Sequence, residues 1–325
     1  MRAGEAGRVV IDTSDPATRR TGIGGSDAAA ILGLNPYQTR YAVAVEKIHG
    51  VKPAEDAESR ERMDWGKRLE PLLRSAFEER TGMPVQVAGS FVRHPEHEWM
   101  YANPDGFLWS GLDIVDDEAF CTRWAATVPQ ELVEMGPGLF EGKCSGVFDA
   151  AEWGDSNDQL IPVHYYVQAQ HYMAVTERAW CGFGCLLNGN KFIVRWAVRD
   201  EAFIAGRLIP ELEKFWAETQ QGLLSEPMDP FIDEQVLRAL HRESAGSRVE
   251  LTDEQTRAVY RWADAHEQKA RCERQEAALK LAVKSAMGTA SIGKLTTGEQ
   301  ITFKTDSAGR RLLRAPHKPT TRKPC

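Results

Sequence analysis

Three carboxylates and a lysine stand where their types and spacing can support hydrolytic chemistry. Glu141 and Lys143 are two apart in Phe140-Glu141-Gly142-Lys143. On a strand, residues i and i+2 point to one face. A carboxylate and an ammonium then project side by side from a segment otherwise suited to burial. Asp105 lies in Asn103-Pro104-Asp105-Gly106, and Glu70 precedes Pro71 in an apolar-striped helical run. Hard divalent cations take oxygen ligands, and Mg²⁺ typically uses one or two carboxylates with phosphate oxygens and water. Asp105 and Glu141 can supply those carboxylates, with the Gly142 carbonyl as a third ligand. Glu70 can complete the shell or support a second ion. Lys143 is then placed to orient or deprotonate an attacking water, or to stabilise charge on a phosphate. Singly, each feature is ordinary: Pro-Asp-Gly is a common turn, and Glu-x-Lys a solvated strand face. Their joint occurrence, in chain order, carries the expectation.

The elements that must position these groups follow from periodicity. Met63, Leu69, Leu72, Leu73, Ala76 and Phe77 predict a helix over 60–82 that closes at Thr81-Gly82. Pro71 either kinks it or starts a new helix. Strands are expected within 84–108 and over 139–144. Residues 110–138 resist reading and resemble an inserted loop with some helix. An amphipathic helix is expected from Pro162 to Glu177. Asn188-Gly189-Asn190 between two apolar runs is a hairpin signal. Residues 252–287 read as one long charged helix with Thr252 and Gln255 as a capping box. A short hairpin around Gly298 follows. The order predicts an α/β (α+β) core with a mixed central sheet flanked by helices, plus a C-terminal helical arm.

Further groups lie near this framework. Gln168 and Tyr172 are four apart and share a helix face, from which both can serve phosphates or metal-bound waters. Gly22, Gly24 and Gly25 permit close backbone approach, and Ser26 or Asp27 is placed to cap the helix that follows.

Composition narrows the classes. Forty basic and 47 acidic residues give −7. The last 19 residues hold six cations and no acid, leaving −13 over the rest. We expect that tail, 307–325, to be loose, its cations either adding sequence-independent affinity for a polyanion such as DNA or only solubilising the chain. Six cysteines show no paired metal spacing. No apolar run of about 18 residues exists for a membrane helix, and the N-terminus lacks a signal-peptide core. A cytoplasmic location is therefore expected, in a bacterial host if the gene is phage-borne. No Walker or Gly-x-Gly-x-x-Gly motif supports nucleotide binding.

GIGGSDAAAILGLNPY, WGKRLEP, HPEHEWMYANPDGF, FEGKCS and YYVQAQHYMAVT occur in order between about Arg19 and Leu187. Together they resemble the YqaJ-type viral recombinases, relatives of phage lambda exonuclease in the PD-(D/E)XK nuclease superfamily. The resemblance implies that Asp105, Glu141 and Lys143 form the catalytic core, with Glu70 helping to bind metal. It matches Gln168 and Tyr172 to a Gln-x-x-x-Tyr motif, and Gln170 to a second recurrent glutamine that would contact DNA. It places Arg19 or Arg20, with Ser26, at a DNA 5′-phosphate. Asp105 and Glu141 are 36 positions apart, more than the family usually shows, which implies an insertion at about 109–138.

The expected organisation is a nuclease core over 1–225 and a C-terminal long helix, hairpin and basic tail over 226–325. The expected activity is Mg²⁺-dependent (or Mn²⁺-dependent) hydrolysis of linear double-stranded DNA from its ends. The resemblance implies 5′ to 3′ polarity, 3′ single strands for recombination, a trimer and a single-strand annealing protein as partner. The alternatives are a structure-specific endonuclease and a non-catalytic DNA-end-binding scaffold.

Overall fold

The structure is a computed structural model describing residues 16–54, 56–88, 91–108, 128–146, 150–154, 158–243 and 246–315. The chain divides into two compact units, Met1–Ser244 and Ala245–Cys325.

The first unit is built on a five-stranded mixed sheet of order β1-β4-β5-β6-β7. Its strands are β1 (Val85–Val87), β4 (Gly106–Leu108), β5 (Gly138–Ser145), β6 (Trp180–Leu187) and β7 (Lys191–Val198). Only β5 and β6 run parallel; the other pairs are antiparallel. β6 is buried along nearly its whole length, which is why it reads as continuous apolar sequence rather than alternation. β7 lies at the edge and alternates. The β6–β7 turn has positive φ at both Asn188 (52°) and Gly189 (75°), as its sequence predicts. A separate two-stranded ladder joins β2 (Val92–Arg93) to β3 (Tyr101–Ala102).

Helices cover both faces. α4 (Ala57–Thr81) packs Leu73 and Phe77 against Phe140 and Trp180. It runs unbroken through Pro71 as one helix, and Met63 and Leu72 of the expected stripe are exposed. The opposite face takes α6 (Val163–Thr176), the crossover between β5 and β6. α6 is not amphipathic as expected: ten of its residues are buried. The sheet lies against one side and α2 (Gly25–Ile31) against the other, where Ala28, Ala29 and Ala30 allow close approach.

α2 is capped differently from expectation. Gly24 is the N-cap, and Asp27 sits three residues in, where its Oδ2 accepts from Gly24 N (3.2 Å). Asp27 is buried and pairs with buried Lys47 of α3 (Arg40–His49) at 2.7 Å. Lys47 Nζ also donates to the Arg19 carbonyl (3.0 Å). α1 (Pro16–Arg19) thereby stays tied to the glycine segment.

Past the sheet, a turn of helix (Glu201–Phe203) and a π-turn (Ile204–Leu208) lead into α7 (Ile209–Gln220). α8 (Ile232–Leu240) packs Val236 onto Tyr41 and Val45 of α3. Buried Asp233 accepts from Met228 N, Asp229 N and the Thr39 hydroxyl. These bonds hold residues 226–243 in the first unit, although the sequence groups them with the C-terminal part. Of the inserted segment, 109–127 lie outside the described residues, and α5 (Gln130–Glu134) follows them.

The second unit contains α9 (Asp253–Met287), whose N-cap Thr252 and Gln255 form the expected capping box. A three-stranded antiparallel sheet follows: β8 (Ile292–Lys294), β9 (Gln300–Thr305) and β10 (Arg311–Arg314). The expectation of a loose tail from 307 is corrected here. β10 pairs with β9, and Arg311 donates to the carbonyls of Gly288, Ala290 and Phe303. Residues 316–325 lie outside the described set.

The buried Asp27–Lys47 pair gives a stability prediction. Lys47→Met leaves Asp27 charged, buried and unpaired. Breaking one partner of such a pair costs about 3–5 kcal/mol, read as a lowered urea midpoint at neutral pH. An unchanged midpoint would show that the pair does not hold the segment.

Candidate active site

β5 builds the centre of the site. Leu139 faces the α6-side core and Phe140 the α4 side. Strand alternation therefore sends Glu141 and Lys143 towards α6 and Gly142 towards α4, where Leu73 closes over it. Glu141 is 3% exposed. Lys143 Nζ pairs with its Oε1 at 2.7 Å. The same ammonium donates to Gln168 Oε1 (3.1 Å) and lies 4.7 Å from the Tyr165 ring centroid. Gln168 Nε2 donates in turn to the Tyr172 hydroxyl (3.0 Å). Asp105 sits just ahead of β4, whose Gly106 is paired with Phe140. Its Oδ2 accepts from Gly142 N (2.8 Å).

The site is rich in anions and partly buried. Burial, and next the Glu141 carboxylate, push the Asp105 carboxyl up to about 8; Lys143 and the Gly142 N–H act against this. Burial opposes charge on Lys143, but Glu141 and Asp105 outweigh it and hold the ammonium above its usual range. Glu141 Oε2 is buried without a hydrogen-bond partner. Native proteins rarely leave such an atom unsatisfied unless an ion or water takes it.

A divalent cation fits this donor set. It would satisfy Glu141 Oε2 and offset the repulsion that raises Asp105. Glu70 does not join the pair: its Oε1 holds Arg74 Nη1 at 2.8 Å, though its charge is felt at Asp105. Among the described residues no three His, Cys, Asp or Glu side chains converge as a metal cage. Two carboxylates, completed by carbonyl, water or phosphate oxygens, are the pattern Mg²⁺ accepts.

A polar cavity of about 210 Å³ lies alongside, lined by Arg19, Gly24, Gly25, Ser26, Tyr101 and Tyr172 among others. The glycines are required by packing. A Cβ on Gly25 would stand 2.4 Å from the Tyr172 ring, and one on Gly24 2.8 Å from Tyr101. Tyr172 thus belongs to both the cavity wall and the hydrogen-bond chain from Glu141. The two arginines separate. Arg19 lines the cavity, whereas Arg20 donates to the carbonyls of Lys47 (3.3 Å) and Ile48 (3.0 Å).

Gln170 is corrected as a DNA contact. It is fully buried; its Nε2 donates to the Val198 carbonyl (2.8 Å) and its Oε1 accepts from Asp200 N (2.8 Å). Sequence reasoning missed Tyr165, three residues before Gln168 on the same helix face, and Tyr101 and Asn103, which adjoin Asp105 in sequence. His94 caps its own turn, its Nδ1 accepting from Glu96 N and His97 N. Cys181 and Cys185 are buried free thiols.

The fold and site define a mixed α/β domain with an Asp–Glu–Lys cluster, centred on buried Glu141, beside its parallel strand pair. Residues 16–179, half of the chain, match the YqaJ-like viral recombinase domain, and the chain belongs to that family. It is 29% identical over 279 residues to the uncharacterized protein YqaJ of Bacillus subtilis (strain 168), spanning 85% of this chain and 78% of that protein. An African swine fever virus protein is 34% identical over 165 residues, 49% of this chain and 44% of that relative. The crystal structure of an alkaline exonuclease from Laribacter hongkongensis gives a TM-score of 0.47 at 22% identity, covering 65% of this chain and 94% of that one.

The Asp105 environment yields a pH prediction for the metal-free protein. Its carboxyl titrates higher folded than unfolded, so the native state holds the extra proton between the ordinary carboxylate range and about 8. Stability attributable to Asp105 is therefore greatest in acid and declines as pH rises through that window. Denaturant titrations across it should show a steeper decline for wild type than for Asp105→Asn. Equal slopes would remove the buried-carboxyl account.

Proposed function

We propose that this protein is a metal-dependent exonuclease acting on linear double-stranded DNA, degrading from the 5′ end to leave 3′ single strands for recombination. The observation that carries the reading is the Asp105–Glu141 pair, Glu141 buried and Asp105 partly so, with Glu141 Oε2 unsatisfied among the described residues and Lys143 alongside. Membership of a viral recombinase family supports the recombination setting. Polarity and product come from the resemblance to lambda exonuclease.

Asp105 and Glu141 would hold the ion, Mg²⁺ or Mn²⁺, with the Gly142 carbonyl as a further oxygen donor. When bound, such an ion supplies Lewis acidity and a water of lowered pKa. Lys143, beside Glu141, is the group that would orient or deprotonate the attacking water or stabilise charge on a phosphate oxygen. Gln168 fixes Lys143 and carries the hydrogen-bond chain to Tyr172. Arg19, with Ser26, is placed to take a terminal 5′-phosphate in the cavity, where a guanidinium can bind it bidentately. Glu70 acts on the site through its charge. An annealing protein and a trimeric assembly belong to the same reading.

Digestion of an end-labelled duplex tests it. With Mg²⁺ or Mn²⁺, linear DNA should be degraded and a covalently closed circle left intact. Asp105→Ala, Glu141→Ala and Lys143→Ala should each lower the rate by at least about 10²–10³-fold, the scale for losing one charge-stabilising group. Cleavage of the circle would favour a structure-specific endonuclease, and metal-independent binding without cleavage a scaffold.

The two arginines should also differ. Arg19→Ala should slow digestion of 5′-phosphorylated ends and spare 5′-hydroxyl ends. Arg20→Ala, which removes only backbone bonds, should keep the wild-type preference. The reverse result would place the end pocket elsewhere.

A further inference from the structure

The three-stranded sheet of the second unit has two unlike faces. One carries Phe303, the buried residue of β9, with Leu313 opposite it. The Arg311 guanidinium stacks on Phe303 at 3.8 Å, and Lys284 of α9 lies 5.9 Å from the same ring. That face is occupied by its own unit.

Strand alternation sends the remaining side chains to the other face. Lys294 is paired with Gln300, Ile292 and Arg314 flank Thr302, and Leu312 stands opposite Lys304. Ile292 (52%) and Leu312 (41%) are exposed there. The cations Lys294, Lys304 and Arg314 are exposed too. No carboxylate occupies a position on this face. None of the three cations makes an ion pair among the described residues.

On α9, Lys269, Arg271 and Lys280 are each matched by a glutamate one turn away. On the turn before β10, Arg310 is matched by Asp306. Other α9 cations, Arg257, Arg261, Arg274 and Lys284, make no ion pair among the described residues, so what sets the sheet face apart is that its three cations share one pleated side with no acid on it. The chain then continues with Lys318, Arg322 and Lys323 and no acid. In a protein of net charge −7, this is a local positive field against the global sign.

We infer that this sheet face is a second nucleic-acid-binding surface, one that docks the phosphate backbone of DNA and shares no residue with the Asp105–Glu141 site. Its chemistry fits a backbone and not a base. Lysine and arginine neutralise phosphates, and the Thr302 hydroxyl can donate to a phosphate oxygen. No aromatic side chain is on the face to stack a base. Binding here is sequence-independent and driven by counterion release, so its signature is salt dependence. Such a surface would keep the enzyme on its substrate between hydrolytic events. The inference rests on the proposed nuclease reading for its biological setting, but the binding itself does not depend on catalysis.

The test uses the full chain and the triple variant Lys294→Gln/Lys304→Gln/Arg314→Gln, whose changes are all solvent-facing. Binding to a blunt 30-base-pair duplex is followed by fluorescence anisotropy in EDTA across a salt series, so that no cleavage occurs. Each phosphate contact contributes about 0.9 to the slope of log K against log salt. We expect the variant to lose about 2–3 from the wild-type slope and to bind more weakly at low salt. In single-turnover digestion with Mg²⁺ it should retain the wild-type rate at saturating enzyme. An unchanged slope overturns the inference even if wild type is an active nuclease. A reduced slope upholds it even if no nuclease activity is found, which separates its failure from that of the proposed function. Wild-type binding to vesicles rich in phosphatidylglycerol, lost in the variant while DNA binding is kept, would overturn it in favour of an anionic membrane surface.

Discussion

A carboxylate carried into the interior of a sheet sets the terms for everything around it. Glu141 is 3% exposed on β5, and water cannot relieve its charge. One oxygen is met by Lys143 at 2.7 Å; the other has no hydrogen-bond partner among the described residues. Buried ion pairs are a poor source of stability, because desolvation offsets much of their attraction. A hydrophobic pair at 141 and 143 would pack the same strand at less cost. The arrangement fits the proposed reading, in which charge is held in place before substrate arrives.

The surroundings extend that constraint outwards. Lys143 needs a second acceptor and finds Gln168; Gln168 needs one and finds Tyr172. Tyr172 fits only because Gly25 lacks a side chain. The glycine segment is in turn tied down through Asp27, Lys47 and the Arg19 carbonyl. A hydrogen-bond and packing chain thus connects the carboxylate pair to the cavity lined by Arg19. The π-turn, α7 and α8 add packing at the periphery of this core.

Much of this was legible in the sequence. Period-two alternation fixed Glu141 and Lys143 on one face, Asn188-Gly189 marked the β6–β7 hairpin, and the capping box at Thr252 marked the start of α9. The misses have physical causes. α6 reads as amphipathic because its polar residues are visible and their burial is not. Gln168 and Gln170 look equivalent, yet residues two apart on a helix face different ways. One therefore meets Lys143 while the other satisfies backbone at Val198 and Asp200. Arg19 and Arg20 are neighbours of one type, and only the packing of α3 shows that Arg20 is engaged by carbonyls. Arg311–Arg314 reads as part of a charged tail because charge hides its pairing with β9. The cap of α2 shifted to Gly24 because Asp27 is drawn inward by Lys47.

In the proposed reading Asp105 and Glu141 form a divalent-cation site whose charge is unresolved without the ion. Titration calorimetry of Mg²⁺ into the metal-free protein near neutral pH, in two buffers of different ionisation enthalpy, addresses it directly. Burial and the Glu141 carboxylate push the Asp105 carboxyl up to about 8 when no ion is bound. Binding should therefore release close to one proton, seen as a buffer-dependent enthalpy. Asp105→Asn should abolish the release, and Glu141→Gln should weaken binding. Mg²⁺ binding with no proton release, or undiminished binding by the double variant Asp105→Asn/Glu141→Gln, would contradict the account.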